Sequence, residues 1–191
     1  GASILSLRNI SFAIECGEND SAYNRNKVAA DYIQQLGQAK ANDPQGYDHF
    51  GQIQQNCEHW MKLKDFEAFK WALQKVRKVF PNKVVWKQCN DVPKSSFYWL
   101  VLPPGEIKTG SLLTASFSQN QIRVESSDVR KVGLRLNDYI VNLNYPVQVF
   151  FNNQLVFNQV LPRSFELAQA SIYERFDPYV VFTAEVYVNA P

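Results

Sequence analysis

Cysteine, histidine and methionine are scarce in this chain, and each shortage closes a route. Cys16, Cys57 and Cys89 form an odd set with no Cys-x-x-Cys spacing, and His49 and His59 are the only histidines. A zinc site needs more ligands than these at fixed spacings, so no metal site is expected. Cys16 and Cys57 instead close short apolar runs and read as small buried hydrophobes. No apolar run reaches the ~20 residues of a membrane span, so no spanning segment is expected. An excess of one charge is also missing: 20 Lys and Arg stand against 18 Asp and Glu, leaving +2 without a basic stripe for nucleic acid. Nothing reads as a signal peptide. Met61 is the single methionine and the chain opens Gly1-Ala2-Ser3, which suggests a processed or engineered piece of a longer protein.

What is present is apolar and aromatic. At 46% apolar and 14% aromatic the composition is that of a globular protein and excludes disorder. The periodicity changes near Phe80-Pro81-Asn82, which predicts two domains, 1–81 and 82–191. In the first, Phe12-Ala13-Ile14-Glu15-Cys16 reads as a strand, and Val28, Tyr32 and Leu36 lie on one face of a helix over 24–39. Asp43-Pro44 reads as the start of a second helix, with Asp43 as cap, which puts His49 mid-helix on the surface. A short strand follows over 53–57. Asp65 then caps a helix whose Phe66, Phe69, Leu73 and Val76 trace an apolar stripe. Strand–helix–strand–helix order is what a parallel sheet requires.

Beyond residue 82 the period is two. Strands are expected over 84–86, 97–102, 112–117, 122–125, 132–136, 147–151, 155–160 and 180–188. Asn152-Asn153 forms a tight hairpin, and a helix spans 164–176. Asp91-Val92-Pro93 and Leu102-Pro103-Pro104-Gly105 mark loops. The pattern predicts an antiparallel sandwich with one helical crossover. Trp86, Trp99, Phe97 and Tyr98 invite a carbohydrate-platform reading, but the alternation assigns about half of them to the core.

Chemistry centres on Asp20 and His59. Asp20 follows Gly17 beyond the first strand, where a carboxylate can orient an imidazole. His59 follows the second strand and suits a general base at neutral pH. Trp60 could wall it from solvent, and Glu58 could act on its protonation. Glu18 is a weaker candidate for the acid, and Asp20 or Ser21 could instead cap the next helix. Arg25, with Tyr23 and Asn24, could contact substrate or pin the acid loop, the second being favoured. Acid then base is the order of the last two members of the triad in an α/β-hydrolase. The Gly-x-Ser-x-Gly turn for the nucleophile is missing: Ser95, Ser96, Ser111, Ser116, Ser126 and Ser127 all lack its flanking glycines.

The stretches Gly17-Glu18-Asn19-Asp20-Ser21-Ala22-Tyr23-Asn24-Arg25-Asn26-Lys27, Glu58-His59-Trp60-Met61 and Val84-Val85-Trp86-Lys87-Gln88 resemble a family of bacterial esterases or peptidases. Those proteins are similar to dienelactone hydrolases and prolyl oligopeptidases and carry a small β-rich domain after the hydrolase. Glu58 stands where that family usually has glycine. The resemblance implies the C-terminal fragment of an α/β-hydrolase lobe followed by a β-sandwich-like domain with one helix. It implies catalytic Asp20 and His59, no cofactor, a small-molecule ester or peptide substrate in the intact parent, and inactivity of the fragment alone. Strands cut from their sheet further imply a homodimer through the N-terminal lobe. The rival expectation is a non-catalytic binding or scaffolding module, which includes a carbohydrate-binding one.

Overall fold

A computed structural model describes residues 3–89 and 93–191. Asp91 and Val92 of the turn read from the sequence lie outside them. The chain contains both helices and sheets and divides into two compact units, Ile4–Lys78 and Val79–Pro191, with Ser3 counting with the second.

The first unit is built on two parallel strands, β1 (Phe12–Gly17) and β2 (His49–Gln54), in register from Phe12 opposite His49 to Gly17 opposite Gln54. Parallel neighbours need a crossover, and α1 (Arg25–Asn42) supplies it. A Cβ on Gly51 would lie 2.6 Å from Ile33, so glycine is what lets α1 approach β2 closely. The next residue along, Phe50, meets Trp71 of α2 (Phe66–Ala72) at 6.0 Å between ring centres. Adjacent strand residues point to opposite faces, so the two helices cover opposite sides of the pair. Buried Ile4, Leu36 and Tyr47 form the core on the α1 side. Among the described residues β1 pairs with β2 alone. The Phe12 and Glu18 amides donate to Asp48 and Gln54. By alternation, the Ala13 and Glu15 amides face the other edge.

Three sequence expectations are corrected here. No helix starts at Asp43-Pro44: the Asp43 amide closes α1 on Ala39. Its carboxylate is held by Arg8 at 2.8 and 2.9 Å and so is unavailable as a cap. His49 therefore opens β2, which runs four residues earlier than expected, because Gly51 and the glutamines at 52 and 54 dilute its apolar signal. Asp65 makes no capping bond, and Phe66, Phe69 and Leu73 are exposed while Trp71 does the packing.

The second unit is a sandwich. One sheet has the order β10 (Gln154–Gln159), β9 (Val147–Phe151), β7 (Gln121–Glu125), β6 (Leu112–Ser118), β3 (Lys83–Lys87). The other runs β11 (Ala184–Asn189), β8 (Lys131–Leu136), β5 (Leu100–Val101), β4 (Ser96–Phe97). Every pairing is antiparallel except β7 with β9. Val84, Leu113 and Val149 of the first sheet join Leu100, Leu134 and Val188 of the second in one buried cluster. The helix α3 (Phe165–Arg175) carries the chain from β10 in one sheet to β11 in the other. Its cap is Ser164, whose Oγ accepts from the Leu167 amide at 3.1 Å. Asn152 and Asn153, at φ 46° and 66°, make the hairpin that their residue type favours.

The strand expected over 97–102 is broken in two. Tyr98 takes a positive φ of 54°. This turns Trp99 into the core, where its Nε1–H donates to the Pro81 carbonyl at 2.9 Å. Trp86 and Trp99 are both buried, which removes them from any surface platform.

Candidate active site

Because β1 and β2 are parallel, the loops leaving their C-terminal ends lie side by side, and these loops carry Asp20 and His59. Their contact begins at Gly17. A Cβ there would come within 2.5 Å of the Cys57 carbonyl oxygen and closer still to that of Glu58. The absence of a side chain is what seats the second loop against the first. Backbone and side chain then lock the two together. The Asn19 amide donates to the Cys57 carbonyl at 2.8 Å. The Glu18 carboxylate accepts from the Asn56 amide at 2.9 Å, and the Asn26 side chain donates to the Glu18 carbonyl at 2.7 Å. Glu18 is thus a brace between loops.

Substituting Gly17 tests this brace. Gly17→Ala places a methyl group against two backbone carbonyls, and overpacking of this kind costs about 1–3 kcal/mol. Gly37→Ala is its control: it lies within α1 with nothing inside 4 Å of the added atom, and is expected to stabilise by about 0.5–1 kcal/mol. Thermal unfolding of the two variants should move in opposite directions.

Asp20 is 6% exposed. One carboxylate oxygen, Oδ2, lies 2.9 Å from His59 Nδ1. The other accepts from Arg25 Nη2 at 2.6 Å, and Arg25 Nε reaches both oxygens at 3.0 Å. Tyr23 and Asn24, at φ 55° and 56°, turn the chain through the left-handed region so that Arg25, first residue of α1, points back at the acid. The carboxylate caps no helix. Only the Asp20 backbone carbonyl serves α1, accepting from the Asn26 amide at 3.1 Å.

The Arg25 hydrogen bonds, followed by that from His59, hold the Asp20 carboxyl down at about 2, against an ordinary 3.8. Asp20 is therefore ionised at neutral pH, so the facing Nδ1 carries the proton and Nε2 is left as the proton acceptor of the neutral ring. The His59 side chain is 75% exposed. Trp60 is exposed as well and walls off nothing. Burial and the neighbouring Asp20 charge push the Cys16 thiol upward, which keeps it protonated, with its S–H donating to that carboxylate at 3.8 Å.

A pH prediction follows from Asp20. The folded chain binds this proton less readily than the unfolded chain, so the contact adds stability above about pH 4 and loses it as pH falls toward 2. In melting curves, the gap between wild type and Asp20→Asn should narrow across that window. Asp48 and Asp138, which are also lowered, titrate in both proteins and cancel in the difference. A gap that stays constant from pH 4 to 2 would contradict the ion pairing.

Beside the dyad lies a cavity of about 360 Å³, with Ile14, Val28, Ala29 and Met61 among its apolar walls and His59 at its polar side. That volume suits a small-molecule group. Among the described residues no cluster of three or more His, Cys, Asp or Glu could hold a metal ion. No described helix is long and apolar enough to cross a membrane. His49 lies apart from the dyad, its ring against the Tyr47 carbonyl at 2.9 Å. Sequence reasoning missed the bracing by Glu18, Asn19 and Asn26. The asparagines were its one signal, since Asn serves tight loops and left-handed turns.

Compared with protein-family models, curated proteins and solved structures, the chain matches none.

Proposed function

We propose that Asp20 and His59 are the acid and base of a serine hydrolase of the α/β-hydrolase type, acting on an ester or amide. The observation that carries this reading is the 2.9 Å contact between Asp20 Oδ2 and His59 Nδ1 on loops at the C-terminal ends of adjacent parallel strands. The nucleophile is a serine outside these 191 residues. As its oxygen bonds to the substrate carbonyl carbon, its proton passes to His59 Nε2. Collapse of the tetrahedral intermediate sends that proton to the departing alcohol or amine and leaves an acyl-serine. Water repeats the sequence and restores the serine. Asp20 holds the ring in the working tautomer and stabilises the imidazolium between transfers. No cofactor enters. The open edge of β1 is where the sheet of the whole hydrolase continues. In the isolated chain the same edge can take a second copy, giving a symmetric dimer.

An exposed imidazole held on a buried carboxylate beside a cavity favours the catalytic reading over a scaffolding module. A fluorophosphonate probe, which reacts covalently with activated serines, tests it. A longer polypeptide that includes the preceding residues should be labelled on a serine upstream of residue 1, and the 191-residue chain should not. Labelling within the 191 residues would misplace the nucleophile. A longer polypeptide that folds and takes no label would overturn the hydrolase reading.

A further inference from the structure

Trp86 and Trp99 offer no surface platform, yet the second unit presents another pair of rings to solvent. Tyr139 is 84% exposed although its ring stacks on Phe80 at 5.9 Å and 14°. Phe80 in turn meets the fully buried Phe182 edge-on at 5.8 Å. A ladder of rings thus runs from the core to the surface and holds the outermost one flat, with its second face open. Tyr179, 76% exposed, stands on the segment between α3 and β11. Both tyrosines sit on turns that a side chain fixes. Asn137 Oδ1 accepts from the Tyr139 and Ile140 amides at 3.0 and 3.2 Å, and Asp177 Oδ1 accepts from the Tyr179 amide at 3.0 Å.

The two tyrosines line one cavity of about 330 Å³, together with Val79, Phe80, Pro178, Val181 and Asn137. None of these side chains is charged, so nothing in the lining selects a phosphate, carboxylate or ammonium group. Asn137 supplies a polar point. It is 5% exposed, and one of its two amide N–H groups donates to the Val181 carbonyl at 2.7 Å. The other has no acceptor among the described residues, and a buried donor left in that state is costly. An occupant that relieves it must bring an oxygen as well as apolar surface, which excludes a plain hydrocarbon.

We propose that this cavity binds a neutral saccharide, with room for about one or two pyranose rings. A pyranose has the mixture required. Its face of C–H groups lies on a tyrosine ring, and its hydroxyls accept from Asn137 and bond with the tyrosyl hydroxyls. The rings and the amide are held in place before binding, so little ordering is needed on contact. A proline-rich peptide also seeks tyrosines, but it advances about 3.1 Å per residue and needs a run of grooves, where one cavity stands here. Every lining residue lies within Val79–Pro191, so the proposal is independent of the hydrolase reading.

An array of neutral, uronate-bearing and sulfated glycans probed with the full chain tests it, followed by calorimetry on the strongest ligand. Binding should be confined to neutral glycans and insensitive to salt, since no charge takes part. Tyr139→Ala and Tyr179→Ala should each weaken it about tenfold. Tyr145→Ala, at an exposed tyrosine outside the cavity, should leave it unchanged. All three side chains are exposed, so circular dichroism should show every variant folded. No glycan bound, a preference for charged glycans, affinity unmoved by either cavity variant, or an equal loss with Tyr145→Ala would overturn the proposal. So would tighter binding of a decaproline peptide that the cavity variants remove, because the site would then read peptides.

Discussion

In a polypeptide that carries the nucleophile, His59→Ala should lower kcat for an activated aryl ester by about four to six orders of magnitude. Asp20→Asn should lose about four, and the reason is specific to this site. Arg25 is a donor only, and it makes three contacts to the Asp20 carboxylate. An amide placed there must turn its oxygen toward Arg25, which presents its NH₂ group to His59. Nδ1 then becomes the acceptor, the ring proton moves to Nε2, and the nitrogen that should take the serine proton is already occupied. The double variant should lose little beyond the worse single variant, since the two side chains act as a unit. Losses below tenfold for either substitution, with folding intact, would remove these residues from the reaction.

The second large effect concerns stability. Trp99 is fully buried, bonds Pro81 through its indole N–H, and meets Phe117 edge-on at 5.7 Å. Trp99→Ala should cost about 3–5 kcal/mol through the cavity it leaves. Further loss comes from the Pro81 carbonyl, whose donor is removed inside the core. The melting transition of the sandwich should fall by on the order of 15 °C. Trp99→Phe separates the two terms: it restores most of the volume but not the donor, so about 1–3 kcal/mol should persist. Equal destabilisation by both variants would mean that the hydrogen bond, and not the volume, governs this site. Far-ultraviolet circular dichroism of the whole chain reads both.

How much was legible in the sequence depended on whether a signal was local. Asn152-Asn153 announced its hairpin because two consecutive left-handed residues are a local demand. The strand before it, β9, alternates because one face lies on the core, whereas β10 after it is exposed or half-buried along its whole length. By contrast, the break at Tyr98 is set by where Trp99 must go, a tertiary demand that a run of six apolar residues hides. The position of β2 was obscured because Gly51 contributes nothing to an apolar pattern, yet it is what Ile33 packs upon. Asp43-Pro44 has the composition of a helix start, but an arginine 35 residues earlier claims the carboxylate. The stripe on α2 had the correct period, while its direction was decided by Trp71. At the candidate site, the placement of Asp20 and His59 after two strands was readable, and their bracing was not, since Glu18, Asn19 and Asn26 reach backbone groups whose positions only the fold sets.

The pairing of β1 with β2 carries one more implication. With a rise of about 3.3 Å per residue, a two-residue slip would displace one loop against the other by nearly 7 Å, more than twice the reach of a hydrogen bond. A one-residue slip would invert which face each side chain occupies. The distance between Asp20 and His59 is thus gauged by the ladder between the strands and not by the length of chain joining them. Turns of α1 gained or lost over time would alter the crossover and leave that gauge untouched, whereas a single residue inserted within His49–Gln54 would put it out of calibration.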